Sequence, residues 1–254
     1  MTGEPGRART TEPLAVFDLG IAPYGPVQDL QTRLRAAVAD GVIPGVLLLL
    51  EHEPVITLGR RGAVTDLRDV ERIQARGIDV VPSERGGQAT LHAPGQLVSY
   101  PIVPIPRRNL GSYVRGLEET LLVLLAALGV SASRRVGRPG LYVKGDKIAS
   151  VGLRCQRWVA SHGTSLNVNV DLSLFNLIVS CGEPRLRQTS LQAVAGRACD
   201  MDQIKALYIQ AARQVFRWEL SPLRKLSHER VELEVPTAGF EPATPGSGGQ
   251  CSIP

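Results

Sequence analysis

Aromatic residues make up only 4% of the 254-residue chain, and lysine is scarcer still. Of 29 basic residues just Lys144, Lys147, Lys205 and Lys225 are lysines, which leaves 29 − 4 = 25 arginines. The four cysteines, Cys155, Cys181, Cys199 and Cys251, form no CxxC pair and are widely spaced. This excludes a disulfide scaffold and fits a reducing compartment, so a cytoplasmic location is expected. His52, His92, His162 and His228 stand at no metal-ligand spacing and have no cysteine cluster beside them, so no metal is expected. The longest apolar block, Leu121–Leu128, is far too short to cross a bilayer, and residues 1–13 lack the apolar segment of a secretory signal. Basic residues are scattered and not interleaved with aromatics, which argues against a nucleic-acid partner.

What is present is the composition of a folded domain, 43% hydrophobic and 21% charged. The length suits one domain, read as residues 14–220 between an unstructured N-terminus, 1–13, and a low-complexity tail, 221–254. A net charge of +5 suits an acidic partner. Leu14–Leu19 reads as a strand, and Val27, Leu30, Leu34 and Val38 repeat at helical spacing before Gly41. Val46–Leu50 is a continuous apolar run expected to be buried on both faces, and Val55–Leu58 resumes as a strand ending at Gly59-Arg60-Arg61-Gly62. Thr65 is placed to cap a short helix closed by Gly77. Leu110, Tyr113, Leu117, Leu121, Leu124 and Leu128 line one face of a long helix. Strands then return around the hairpin signal Lys144-Gly145-Asp146-Lys147, with a further strand over Ser165–Val170, a short helix capped by Asp171 and a last helix opened by Asp202. Strands and helices without regular βαβ alternation predict an α+β fold with a mixed sheet.

The chain turns around Arg85-Gly86-Gly87-Gln88-Ala89-Thr90-Leu91-His92, where two glycines allow the backbone positive φ and let a ligand lie against the main chain. Far downstream, Cys181 precedes Gly182 at a turn. A cysteine there is either an inert small hydrophobe or, given a thiolate-stabilising neighbour, a nucleophile. Lys147 is the neighbour to consider, because it follows a turn and opens an apolar strand, although an ordinary solvated hairpin lysine would look the same. A nearby ammonium favours a thiolate, and a desolvated neutral lysine can accept the thiol's proton.

Four blocks in register then carry a family resemblance: His52-Glu53-Pro54-Val55-Ile56-Thr57-Leu58-Gly59-Arg60, Arg85 to His92, Lys147-Ile148-Ala149-Ser150-Val151-Gly152, and His162-Gly163 to Asn167 with Asp171-Leu172-Ser173 and Cys181-Gly182. Over roughly Leu14 to Trp218 the chain resembles the lipoyl(octanoyl) transferases of lipoate biosynthesis. The resemblance implies a mixed sheet flanked by helices, akin to the catalytic domain of biotin and lipoate protein ligases. It implies transfer of an octanoyl group from octanoyl-acyl carrier protein to a lysine of lipoyl domains, those of 2-oxoacid dehydrogenase E2 subunits and the glycine cleavage H protein, with no cofactor. The acyl-thioester cysteine falls on Cys181 and the lysine that tunes it on Lys147. Acyl contacts fall on Arg85, Gly86, Gly87, Gln88, Ala89, Thr90, Leu91 and His92, on Ser150, Val151 and Gly152, and on Gly163, Thr164 and Ser165. The chain departs from the family at Ala93, where a glycine is usual, and at Ser180, where a proline is usual. An ATP-dependent lipoate or biotin ligase, a non-catalytic acyl- or carrier-binding protein and a thioesterase are the rival readings on the same residues.

Overall fold

Strand Val46–His52 (β2) is buried along almost its whole length, and the main sheet is built outward from it. The computed structural model describes residues 12–235, so the N-terminal stretch expected to be unstructured lies, but for residues 12 and 13, outside the described residues. In chain order the strands are β1 (Leu14–Ala22), β2, β3 (Val55–Leu58), β4 (Asp79–Pro82), β5 (Ala89–His92), β6 (Gln96–Ile102), β7 (Ser133–Arg135), β8 (Arg138–Val143), β9 (Asp146–Gln156), β10 (Val159–Asn167) and β11 (Leu220–Lys225). The helices are α1 (Tyr24–Ala39), α2 (Val70–Ala75), α3 (Leu110–Ala127), α4 (Leu191–Ala195), α5 (Met201–Phe216) and α6 (His228–Glu234). An eight-stranded mixed sheet runs β11-β1-β2-β6-β10-β9-β8-β7, with β1 parallel to both β2 and β11. A separate three-stranded sheet runs β4-β3-β5. This is the α+β architecture with a mixed sheet and flanking helices that the sequence predicts.

Alternation along β2 divides the interior. Leu47 and Leu49 point to the face covered by α3 and α5, whereas Val46, Leu48 and Leu50 point to the face covered by α1 and α6. Burying each such leucine is worth about 1.5–3 kcal/mol, which explains a run with no polar residue on either side. A third core, with Ile56, Ile73, Leu91 and Phe175, lies under the small sheet. Across the first of these faces, Lys205 on α5 bonds Asp18 on β1 at 2.8 Å, both side chains 5% exposed or less. Lys205→Met strands the Asp18 carboxylate in the interior and is expected to cost about 3–5 kcal/mol in urea unfolding, with partial recovery when Asp18→Asn is added.

Several boundaries differ from the sequence reading. The short helix closed by Gly77 is α2, capped by Asp69, whose Oδ1 accepts from Arg72 N at 2.9 Å; Thr65 lies instead in a 3-10 turn. Helix α5 is capped by Asp200, not opened by Asp202. The strand expected over Ser165–Val170 is β10, which starts at Val159 and is buried throughout. Residues 221–235, read as part of an unpacked tail, form most of β11 and all of α6, and Val231 is fully buried. Pro222 obscured β11: it cannot donate to a ladder, and an edge strand is where a sheet tolerates that. The rest of the expected tail lies outside the described residues.

Candidate active site

A cavity of about 430 Å³ opens where the two sheets face each other. The strip Arg85–Thr90 with His92 walls one side, and Ser150–Cys155 on β9 with His162–Ser165 on β10 wall the other. Gly137, Arg138 and Pro139 border it on the β7–β8 hairpin, and Lys147 and Cys181 both line it. The structure thus gathers Arg85, Gly86, Gly87, Gln88, Ala89, Thr90, His92, Ser150, Val151, Gly152, Gly163, Thr164 and Ser165 around one space. Leu91 is the exception: strand alternation turns it away from the cavity, and it is wholly buried in the third core.

Lys147 Nζ stands 3.2 Å from Cys181 Sγ and 3.2 Å from the Pro139 carbonyl, to which it donates. The lysine is 3% exposed and its Nζ lies 5.6 Å from the Tyr142 ring centroid. Gly140 makes the room, because a Cβ there would come within 2.9 Å of Lys147 Cε. Cys181 takes φ +56 inside a short 3-10 turn, a left-handed conformation that costs a non-glycine residue about 1–2 kcal/mol. Strain of that kind persists only where the surroundings enforce it. Here a strap from Leu177 to Thr189 does so. At one end Arg68 N donates to Leu177 O and Val179 N to Asp66 O, beside the small sheet; at the other, Lys147 N donates to Arg187 O and Thr189 N to Lys147 O, at 2.9 Å each. Cys181 is therefore held from both sides against the lysine whose backbone anchors the strap.

Arg85 is 8% exposed, and no carboxylate among the described residues pairs with it. Its Nε and Nη2 donate to Thr57 Oγ1 at 3.1 and 2.7 Å, Nη2 donates to Thr57 O at 2.6 Å, and Nη1 donates to Gly86 O at 3.1 Å. A guanidinium has five N–H donors, so one Nη1 hydrogen is left over. Burial lowers this group from its ordinary value, yet a guanidinium does not deprotonate in proteins, so a fixed positive charge stands in the wall. The facing imidazoles stay neutral. Burial pushes His52 down to about 4 and His162 to about 3, and holds His92 well below the usual histidine value. His52 Nδ1–H donates to Ala22 O, so its Nε2 accepts from the Tyr100 hydroxyl, both at 2.9 Å. Gln96 Nε2 donates to Asn167 Oδ1, which leaves Gln96 Oε1 to accept from His92 Nδ1–H at 2.6 Å. Asn167 Nδ2 in turn donates to Thr189 O, tying the histidine network to the strap.

Those histidines make a pH prediction. Each binds a proton in the unfolded chain at about 6.5 but resists it when folded. Their contribution to stability is therefore complete above pH 6.5 and is lost as pH falls toward 4 for His52 and toward 3 for His162. Each group should cost about 1.4 kcal/mol per pH unit in that window, measured by urea unfolding at pH 7, 5.5 and 4.5.

The departures from the resemblance are mild in place. Ala93 is buried in the third core and is not among the positive-φ residues; Gly95, at φ +88, makes the turn. No left-handed strain therefore falls on Ala93. Ser180 is 5% exposed and its Oγ has no hydrogen-bond partner among the described residues, which costs stability but removes no reacting group. Gly87, at φ +92, would be strained by any side chain, so a bulky substitution there tests fold as well as cavity. Sequence reasoning left out Tyr100, Arg138, Leu153 and Arg154 as lining residues. The polar side chains among them sit inside apolar runs or loops, where only tertiary contact shows their direction.

A half-buried cysteine beside a buried lysine, in the wall of a cavity on a mixed sheet with helices on both faces, sets out a thiol–amine site on an α+β fold. The pattern of the lipoyl protein ligase A/B catalytic domain matches residues 23–213, and the chain belongs to that family. It is 43% identical to an octanoyltransferase of Syntrophotalea carbinolica over 195 residues, covering 76% of this chain and 90% of that one. It is 40% identical to an octanoyltransferase of Chloroflexus aggregans over 220 residues, covering 84% and 99%. Among solved structures, a lipoate protein ligase from Thermoplasma acidophilum with bound lipoic acid superposes with a TM-score of 0.69 at 15% identity, covering 88% of this chain and 94% of that chain. The likeness to the ligase shows the fold; the closer identity to the octanoyltransferases makes this chain an acyltransferase of that group.

Proposed function

We propose that the enzyme moves an octanoyl group from octanoyl-acyl carrier protein through a thioester on Cys181 to a lysine amine of a lipoyl domain. The 3.2 Å approach of Lys147 Nζ to Cys181 Sγ carries this reading. Lys147 takes the thiol proton; Sγ attacks the donor carbonyl, and the carrier's sulfur leaves with that proton. The acceptor amine then attacks the Cys181 thioester, the amide forms, and Sγ leaves as the acceptor's proton passes to Lys147. Exchange of one thioester for another is close to isoenergetic and aminolysis is downhill, so no nucleotide is needed. Both tetrahedral intermediates carry a negative oxygen absent from the ground state, and the unpaired charge of Arg85 in the cavity wall favours that state over the neutral thioester. One solved relative in fold is described with its E2 lipoyl domain, which supports a lipoyl domain as the acceptor.

Mixing octanoyl-carrier, a lipoyl domain and enzyme without any nucleotide should add one octanoyl mass to the acceptor. Transfer that starts only when ATP is supplied would assign the chain to the ligases instead.

A further inference from the structure

Beside the cavity the main sheet ends in a basic hairpin. Strands β7 and β8 meet at Arg135-Val136-Gly137-Arg138, where Val136 is 104% exposed, an aliphatic side chain standing in solvent at the tip. Arg135 and Arg138 flank it, their side chains 46% and 50% exposed, and both lean on Glu183, two residues beyond Cys181, at 3.6 and 3.5 Å. Charge-assisted hydrogen bonds run about 2.7–2.9 Å, so these are loose pairs. Glu183 Oε1 is buried without a hydrogen bond among the described residues. One carboxylate is thus shared between two guanidinium groups and saturates neither.

Behind the Cys181–Gly182 turn a second cavity of about 490 Å³ continues this surface, walled by Arg135, Asp146, Glu183, Arg185 and Arg187. Adding the neighbouring Arg138 and Lys144, the patch holds Arg135, Arg138, Lys144, Arg185 and Arg187 against Asp146 and Glu183, or 5 − 2 = +3. That excess sits around the nucleophile's turn. The chemistry it fits is an acidic protein surface with an apolar spot for Val136. Of the two substrates, the donor suits it better: a carrier presents its thioester on an arm that includes a phosphodiester, an anion that guanidinium groups bind well.

Resting on the transferase reading above, we propose that the Arg135–Arg138 turn and the Glu183–Arg187 segment form the docking platform for the acidic acyl-carrier donor. Val136 seats on the carrier, and Arg185 receives its acidic groups or the phosphodiester of its arm, beside Arg187, which already pairs with Asp146 at 2.9 Å. Docking there places the arm's thiol end at the Cys181 turn, and the loosely held forks of Arg135 and Arg138 can exchange Glu183 for the carrier's carboxylates without moving the hairpin.

The test compares two donors for the charging of Cys181, octanoyl-carrier and the small neutral thioester octanoyl-N-acetylcysteamine, on wild type and on the double variant Val136→Asp/Arg185→Glu. Neither residue lines the acyl cavity. Charging from the carrier should fall about tenfold or more in kcat/KM, through KM, and lose its dependence on salt, while charging from the small thioester stays at the wild-type rate. Equal loss on both donors, or no loss on the carrier, overturns the platform. A loss confined to discharge by the lipoyl domain also overturns it, since the patch would then serve the acceptor. Wild-type enzyme that charges from neither donor brings down the transferase reading itself, whereas wild type that charges beside an indifferent variant removes the platform alone.

Discussion

Enzyme mixed with octanoyl-carrier and no acceptor should hold one octanoyl group on the peptide containing Cys181, labile to hydroxylamine, and release it when a lipoyl domain is added. Three described cysteines compete for that role. Cys155 is buried on β9, although it lines the same cavity, and Cys199 lies away from it beside α5. Only Cys181 combines partial exposure, a left-handed backbone at a turn and an amine 3.2 Å from its sulfur. Cys181→Ala should neither charge nor transfer, a loss on the order of 10⁴-fold or more, because the thiol that splits the reaction into two steps is gone. Intact mass and peptide mapping read the result. Transfer at full rate by Cys181→Ala, or an adduct found only on Cys155, would sink the thioester mechanism.

Replacing Lys147 should separate its two possible uses. Lys147→Ala removes both charge and proton acceptor and should slow charging by about 10²–10⁴-fold, the usual range for a positioned acid–base group. It should also shift the pH at which iodoacetamide alkylates Cys181. Lys147→Arg keeps the charge but cannot act as a neutral base. The larger side chain must also fit beside Gly140, where the space is already closed around Cε. Arginine should therefore preserve some thiol reactivity and still fail to restore turnover. An alanine variant with wild-type rate and wild-type alkylation profile would remove the residue from the mechanism.

Much of this was legible before the structure, for physical reasons that can be named. Periodicity placed α1 and α3 because an apolar stripe at helical spacing has one burial solution, and Val46–Leu50 read as a doubly buried strand because nothing polar interrupts it. Lys147 and Cys181 lie 34 residues apart, so local pattern raised the pair only beside the alternatives of an inert cysteine and a solvated lysine, and the family resemblance gave the two residues their roles. The strand read from Ser165 began too late because Ser161-His162-Gly163-Thr164 ahead of it is polar; His162, Gly163 and Thr164 line the cavity, and the whole segment is a buried part of β10. Leu91 is the opposite case, buried in the third core and not in the cavity wall, since a motif names consecutive residues while a strand sends alternate ones to opposite faces. The end of the domain was missed because Pro222 mimics a chain breaker, whereas β11 is an edge strand.

The strap from Leu177 to Thr189 has a consequence for how such a chain can drift. Its two ends are fixed by main-chain hydrogen bonds, to Arg68 and Asp66 on one side and to Lys147 on the other. None of those bonds asks for a particular side chain. The thiol-to-amine gap is thus ruled by the count of residues between Val179 and Arg187, much as a ruler is fixed by its length and not by what is printed on it. Letters within the span can change, as Ser180 shows, while a single insertion or deletion would slide Cys181 off its mark.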